Sequence, residues 1–276
     1  MTGAGAVVAL VLLEWTVGWA AVASWSQSWS VVRRGHFRIT AYIVAGLAAL
    51  TYFADRAALP EEVVAPVGSS VVGRTSTHDA QLIAVATVGL VALLYLLVQY
   101  SNTDLPGAVA GYVLGAAGLV ALYLSAELVG GWPVYLAGLD LVAGAVLMGA
   151  VSNGMLLGHW YLNQPGLKPW ALARLTRLGL VAVGLSGAIG LVAAGRLAGA
   201  ETQGAVLGIP GFGDSFGLAF FFVWIALLAF TGIVIWLAHR CVAIRSIQSA
   251  TGLYYVALLT AGVSEFFVRF LMVNAT

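Results

Sequence analysis

The sequence predicts an all-α protein, a polytopic integral membrane helix bundle of about eight transmembrane helices. Three observations carry that prediction. Of 276 residues, 61% are hydrophobic and 8% charged, whereas a water-soluble chain carries about a quarter charged residues. The mean hydropathy is +0.99. The apolar residues fall into eight stretches, most of them near the ~20 residues that a helix needs to cross a ~30 Å hydrocarbon layer with its backbone bonded internally.

The first stretch covers 3–26. Its apolar run ends in Ala21-Val22-Ala23, a small-residue pattern like a signal cleavage site, but no Lys or Arg precedes Arg33. A secretory signal needs a basic start, so this stretch reads as a retained span. Arg33-Arg34-Gly35 closes it, and 37–53 follows. The third and fourth stretches, 79–100 and 106–128, are separated by Ser101-Asn102-Thr103-Asp104-Leu105-Pro106. Gly130-Gly131-Trp132-Pro133 leads into 133–162, and Asn163-Gln164-Pro165-Gly166 leads towards 171–194. These connections are rich in turn formers and short, which favours antiparallel neighbours. The last two stretches are 216–239 and 244–272.

Two longer connections, 55–77 and 195–215, contain Pro, Gly and acids and fall on one side, where protein partner subunits would dock. The chain reads as a single transmembrane domain, 1–276, with candidate halves 1–130 and 131–276. Each half has a basic connection between its first two helices and an acid late in its last helix, Glu127 and Glu265.

Charge placement sets the orientation. Arg33, Arg34, Arg38, Lys168, Arg174, Arg177, Arg240 and Arg245 follow odd-numbered helices, and the other face has Arg56, Arg74, Arg196 and Arg269. The positive-inside rule makes the first face cytoplasmic and puts both termini outside, as in a bacterial-type inner membrane. The net charge of +1, in short clusters, offers nothing for nucleic acid. The single cysteine, Cys241, rules out an intramolecular disulfide and a Cys-built iron–sulfur site from this chain alone.

An ionisable residue inside a span is costly and is therefore a functional candidate with a partner to be named. Glu14 lies mid-span, and Asp140 and Glu265 lie about two turns from the outer surface, so the three form a candidate proton or ion path. A plainer alternative pairs Glu265 with Arg269 one turn on, while Asp140 and Glu127 reach water at the outer rim. On the eighth helix Gln248, Tyr255, Gly262, Glu265 and Arg269 share about a third of the circumference, a polar stripe expected to face inwards. Such a stripe serves either helix packing or a quinone head group, which needs donors for its two carbonyls.

Three of four histidines, His36, His159 and His239, fall at the cytoplasmic ends of different helices. Two imidazoles at matched depth would suit the iron of a b-type haem, with His159 and His239 as the leading pair; the alternative is an interfacial or quinone-contacting role. His159, beside Trp160 and Tyr161 and two turns from Ser152, reads as the deepest of them. His78 reads as a helix-start residue. The tryptophans read as an aromatic belt, and the Gly111/Gly115 and Gly154/Gly158 pairs as packing sites. The only lysine, Lys168, lies in a loop, which excludes a retinal Schiff base, and no phosphate loop, HExxH zinc motif or nucleophile elbow is present. In architecture alone, the four-plus-four layout is similar to that of NrfD-type quinone-reactive membrane subunits.

The sequence therefore leads to a membrane subunit of a redox complex that exchanges electrons with a quinone or haem b. Its candidate cofactor residues are His36, His159, His239, Trp160, Tyr161, Gln248 and Tyr255. The competing classes are a proton- or cation-coupled small-solute transporter, built on Glu14, Asp140 and Glu265, and a structural anchor without cofactor. Single cysteines introduced at Arg33, Lys168 and Arg240 should be labelled from the cytoplasmic side only; labelling from outside would reverse the orientation.

Overall fold

A computed structural model of the chain describes residues 3–58, 75–129, 132–161, 163–164, 166–197 and 215–274. Most of the two long connections lies outside the described residues, with Glu61, Glu62, Arg74, Glu201 and Asp214, as does the Gly130-Gly131 turn. The described residues form α1 (Gly3–Gln27), α2 (Arg34–Ala58), α3 (Ser76–Val98), α4 (Leu105–Leu128), α5 (Val134–Trp160), α6 (Trp170–Leu197), α7 (Ser215–Ala243) and α8 (Ile247–Asn274). All eight are long and apolar enough to cross a membrane.

The second helix is longer at both ends than its apolar run. His36, Thr40, Val44, Ala48, Thr51 and Asp55 form a buried stripe at helical spacing, so the inward face continues through residues that the hydropathy pattern assigns to loops. Asp55, read as a loop acid, is buried beside Gln81. At the start of α3, His78 accepts from the Thr75 N–H at 3.1 Å and caps the helix, as expected.

Helix neighbours follow the same order in both halves. α1 to α4 close into one ring and α5 to α8 into another, each helix packing on the next and the fourth on the first. The rings meet where α1 lies against α5, with α8 against α1 and α4 against α5. α1 and α5 therefore form the centre. The outer faces of the other helices expose large apolar side chains such as Phe53, Ile83, Leu90, Val181 and Phe222, which suits contact with lipid chains.

The α1–α5 seam is parallel and closes through small residues. Gly18 lies against Ala145, Val22 against Gly149, and Asn153 Nδ2 donates to Ser26 Oγ at 3.1 Å. A Cβ on Gly18 would collide with the Ala145 carbonyl, and one on Gly149 with the Gly18 carbonyl. The backbones approach this closely only because neither glycine carries a side chain. Gly111, against Ser24 and Tyr95, and Gly154 and Gly158, against Tyr254 and Thr251, pack in the same way.

One end of the bundle gathers the basic connections. The Arg33 N–H donates to Gln164 Oε1 at 2.9 Å, Arg34 pairs with Asp104 at 2.9 Å, and Arg174 lies over the Trp29 and Trp170 rings at 5.3 and 4.4 Å. The aromatic belt is correspondingly partial. Trp25, Trp29, Trp160 and Trp170 lie near this end, whereas Trp15, Trp19 and Trp224 stand within helices, and Trp224 fills the space left by Gly190.

Gly18→Leu should lower stability by about 1–3 kcal/mol or more, the cost of overpacking a closed contact, read as the denaturation midpoint in detergent. Gly89→Leu, where an added Cβ meets nothing within 4 Å, should leave the midpoint unchanged. Equal effects would refute the close α1–α5 seam.

Candidate functional site

Arg269 on α8 is fully buried, and three fully buried carboxylates converge on it, Glu14 from α1, Asp140 from α5 and Glu265 from α8 itself. At a rise of 1.5 Å per residue, these positions lie roughly 8–16 Å along their helices from the end that carries the termini. They are thus below the surface but short of the far side.

Each element delivers its group for a local reason. Glu265 and Arg269 are one turn apart on α8, so both project to the same side. α8 buries Ala250, Tyr254, Ala257, Ala261, Glu265, Val268 and Met272, each three or four residues after the last, a spacing that turns one seam towards α1 and α5. This corrects the expected stripe. Glu265 and Arg269 face inwards, but Gln248 and Tyr255 are exposed, and Tyr254 rather than Tyr255 is buried. The heptad-like seam of small residues, not the polar stripe, sets the rotation of the first half of α8.

The guanidinium uses all five of its N–H donors, the full inventory of an arginine. Nη1 donates to Asp140 Oδ2 at 2.6 Å, with Met272 Sδ at 3.7 Å as a weak second acceptor. Nη2 donates to the Asp140 carbonyl at 3.0 Å and to Glu265 Oε2 at 2.9 Å, and Nε donates to Glu14 Oε2 at 3.1 Å. Glu14 Oε1 lies 2.7 Å from Nη2 but off its N–H directions, so it gains Coulomb attraction without a hydrogen bond. Asp140 Oδ1 and Glu265 Oε1 are buried with no hydrogen-bond partner. The donor side is saturated and the acceptor side is in surplus.

Gly144 makes the convergence sterically possible. A Cβ there would stand 2.5 Å from Glu265 Oε2, 2.6 Å from Glu14 Oε1 and 2.7 Å from Arg269 Nη2. It lies one turn after Asp140, so α5 presents an acid and then a gap.

Asp140 does not reach water at the rim, as the plainer sequence alternative has it, because the guanidinium holds it inside. The i,i+4 pair of Glu265 with Arg269 is present at 2.9 Å, as one arm of a larger cluster. Glu127 is exposed near the end of α4 and takes no part. Among the described residues no group of three His, Cys, Asp or Glu is arranged to hold a metal ion.

The histidines lie in three different settings. His36, not His159, is the deepest. Its ring is fully buried, Nε2 meets Asn153 Oδ1 at 3.0 Å, and Trp160 stands edge-on to it at 5.9 Å. His239 Nδ1 is bonded to Thr176 Oγ1 at 2.7 Å. His159 is exposed: Gly158 faces Thr251 on α8, and one further residue turns about 100° away from that contact. Ser152, expected on the face of His159, instead accepts from Trp15 Nε1 at 2.8 Å. Tyr161, Gln248 and Tyr255 do come together, around a cavity of about 490 Å³ between α5 and α8.

Along the sequence Arg269 has Glu265 as its one evident partner; its meeting with Glu14 and Asp140, and the parts played by Gly144, Asn153 and Ser26, arise only between helices. The ratio of three acids to one interior base was a signal available for Arg269. Nothing distinguishes Gly144 among 34 glycines. A comparison with protein-family models finds no match, and a comparison with curated proteins finds none.

Removing one partner of a buried ion pair costs about 3–5 kcal/mol, so Arg269→Leu should lower the denaturation midpoint strongly. Glu14→Gln keeps the shape and removes surplus negative charge, so it should cost less than about 1 kcal/mol. A larger loss for Glu14→Gln than for Arg269→Leu would overturn this account of the charge balance.

Proposed function

We propose that this chain is a proton-coupled membrane transporter of small solutes, in which Glu14, Asp140 and Glu265 hold the exchanged proton and Arg269 balances the charge that stays behind. One observation carries the reading: three fully buried carboxylates face one fully buried guanidinium. With every group ionised, three negative charges against one positive leave a surplus of two. Each unbalanced charge at such depth costs about 2.5 kcal/mol or more. Protons remove that cost, and three carboxylate oxygens carry no hydrogen bond and can take them, Glu14 Oε1, Asp140 Oδ1 and Glu265 Oε1.

A proton that is held because no counter-charge is available is also one that can leave when the surroundings change. Opening the bundle on the side of the termini would hydrate the carboxylates and favour release. Closing it restores the dry, neutral form. Arg269 stays paired in both states, because even in the neutral form, with two of the acids protonated, the third remains ionised as its counter-ion. On the far side the Gly18–Ala145 contact closes the α1–α5 seam next to the cluster. Passage to the other face requires that seam to part. By the positive-inside rule we place the arginine-rich end in the cytoplasm, which sets the cluster in the outer half of the membrane.

Infrared spectroscopy of the purified protein tests the reading. A protonated-carboxyl band should be present, shift on deuterium exchange, and disappear in at least one of Glu14→Gln, Asp140→Asn and Glu265→Gln. It should also titrate within the pH range over which the protein stays folded. A missing band, or one that never titrates, would leave the cluster as a structural ion pair and end the transport reading.

A further inference from the structure

The start of α8 and the end of α5 line an open cavity of about 490 Å³, with Tyr161, Gln248, Thr251 and Tyr255 around it. It lies towards the arginine-rich end, roughly 15–27 Å along α8 from Glu265, and is separate from the carboxylate cluster. Two glycines shape it. Gly158 lets α5 approach Thr251, and Gly252 faces open space, since a Cβ there meets nothing within 4 Å.

The hydrogen-bonding groups around the cavity divide into occupied and free. The Tyr161 hydroxyl donates to the Lys168 carbonyl at 2.7 Å and the Thr251 hydroxyl to the Ile247 carbonyl at 2.8 Å. Gln248 and Tyr255, two turns apart on one exposed face of α8, make no side-chain hydrogen bond among the described residues. One turn deeper in the same α5–α8 seam, the Tyr254 hydroxyl is fully buried without a partner beside Gly154. The cavity thus combines a mostly apolar wall with an amide and a phenol that no other described residue engages. A ligand that fits is flat, apolar and supplies carbonyl oxygens.

We propose that this cleft binds the ring of a membrane-soluble quinone-class molecule, with Gln248 and Tyr255 donating to its carbonyl oxygens and Thr251, Gly252 and Gly158 forming the floor. Ring and tail would enter from the lipid side, since Tyr255 is about half exposed (52%) on that face. Binding is independent of the carboxylate cluster and goes beyond the transport reading. A plain acyl chain would use the apolar wall but leave both donors idle, and that difference separates the two occupants.

The test is a titration of the purified full-length chain in lipid nanodiscs with a short-chain benzoquinone, followed by quenching of tryptophan fluorescence. A ring-less alcohol of equal chain length serves as the control. Saturable quenching is expected, weakened at least tenfold in Gly252→Leu, which fills the cavity where there is room for a side chain, and in the double variant Gln248→Ala/Tyr255→Phe. Both variants alter exposed positions and should keep the wild-type denaturation midpoint. Glu14→Gln should bind the quinone like wild type, so failure of the transport reading would not remove this site. Quenching that rises linearly as simple partition, equal affinity in the plugged variant, or competition by the ring-less alcohol would overturn the proposal.

Discussion

Arg269 carries a charge that cannot be neutralised by losing a proton, because a guanidinium stays protonated in proteins. Set fully inside the bundle, it must find its counter-charges there, and the rest of the centre follows from that demand. Asp140 holds it twice, through its carboxylate and its own backbone carbonyl, Glu14 crosses from α1, and Glu265 stands one turn away on the same helix. Moving α1, α5 or α8 by even one residue of rotation would leave at least one of these charges buried alone. The ion cluster therefore specifies register where apolar packing in lipid is tolerant, since lipid tails are as apolar as leucine.

Convergence also needs space, and here the small residues act. Gly18, Ala145 and Gly149 bring the α1 and α5 backbones together, and Gly144 leaves the gap into which three side chains reach. The two kinds of contact support each other. Without the close seam, the Glu14 carboxylate would fall short of the guanidinium, and the charges in turn favour the one register at which these glycines face the opposite backbone. Trp15 bonded to Ser152, and Ser26 and His36 bonded to Asn153, extend the same seam towards the arginine-rich end with polar contacts that are again shared between helices.

The two ends of α8 have different characters for the same reason. Its buried seam passes through Ala250, Ala257 and Ala261, which bring it against α1 and α5, and ends in charged residues where the three helices meet. Its start lies beyond that junction, where Gly252 has no neighbour and Gln248 and Tyr255 turn outwards. One helix thus contributes to a dry, charge-balanced site near one end and to an open, donor-lined cleft near the other.

Eight spans, their order and the gathering of basic connections at one end were legible in the residues themselves. Span length and charge placement are one-dimensional properties, set by how many apolar residues a bilayer requires. Even so, the hydropathy pattern shortened α2, whose ends continue as a helix on a polar buried stripe. The interior acids Glu14, Asp140 and Glu265 also stood out, because a charge in a span is conspicuous in a chain with 8% charged residues. Their meeting at Arg269 did not, and neither did the burial of His36, the outward turn of His159 or the roles of Gly144 and Gly252. These depend on which helices become neighbours and on how each is rotated about its axis. Small residues set that rotation through contacts between helices distant in the chain, and in a sequence so rich in Ala, Gly, Leu and Val no local pattern separates the glycine that makes room for an ion cluster from the glycine that faces lipid.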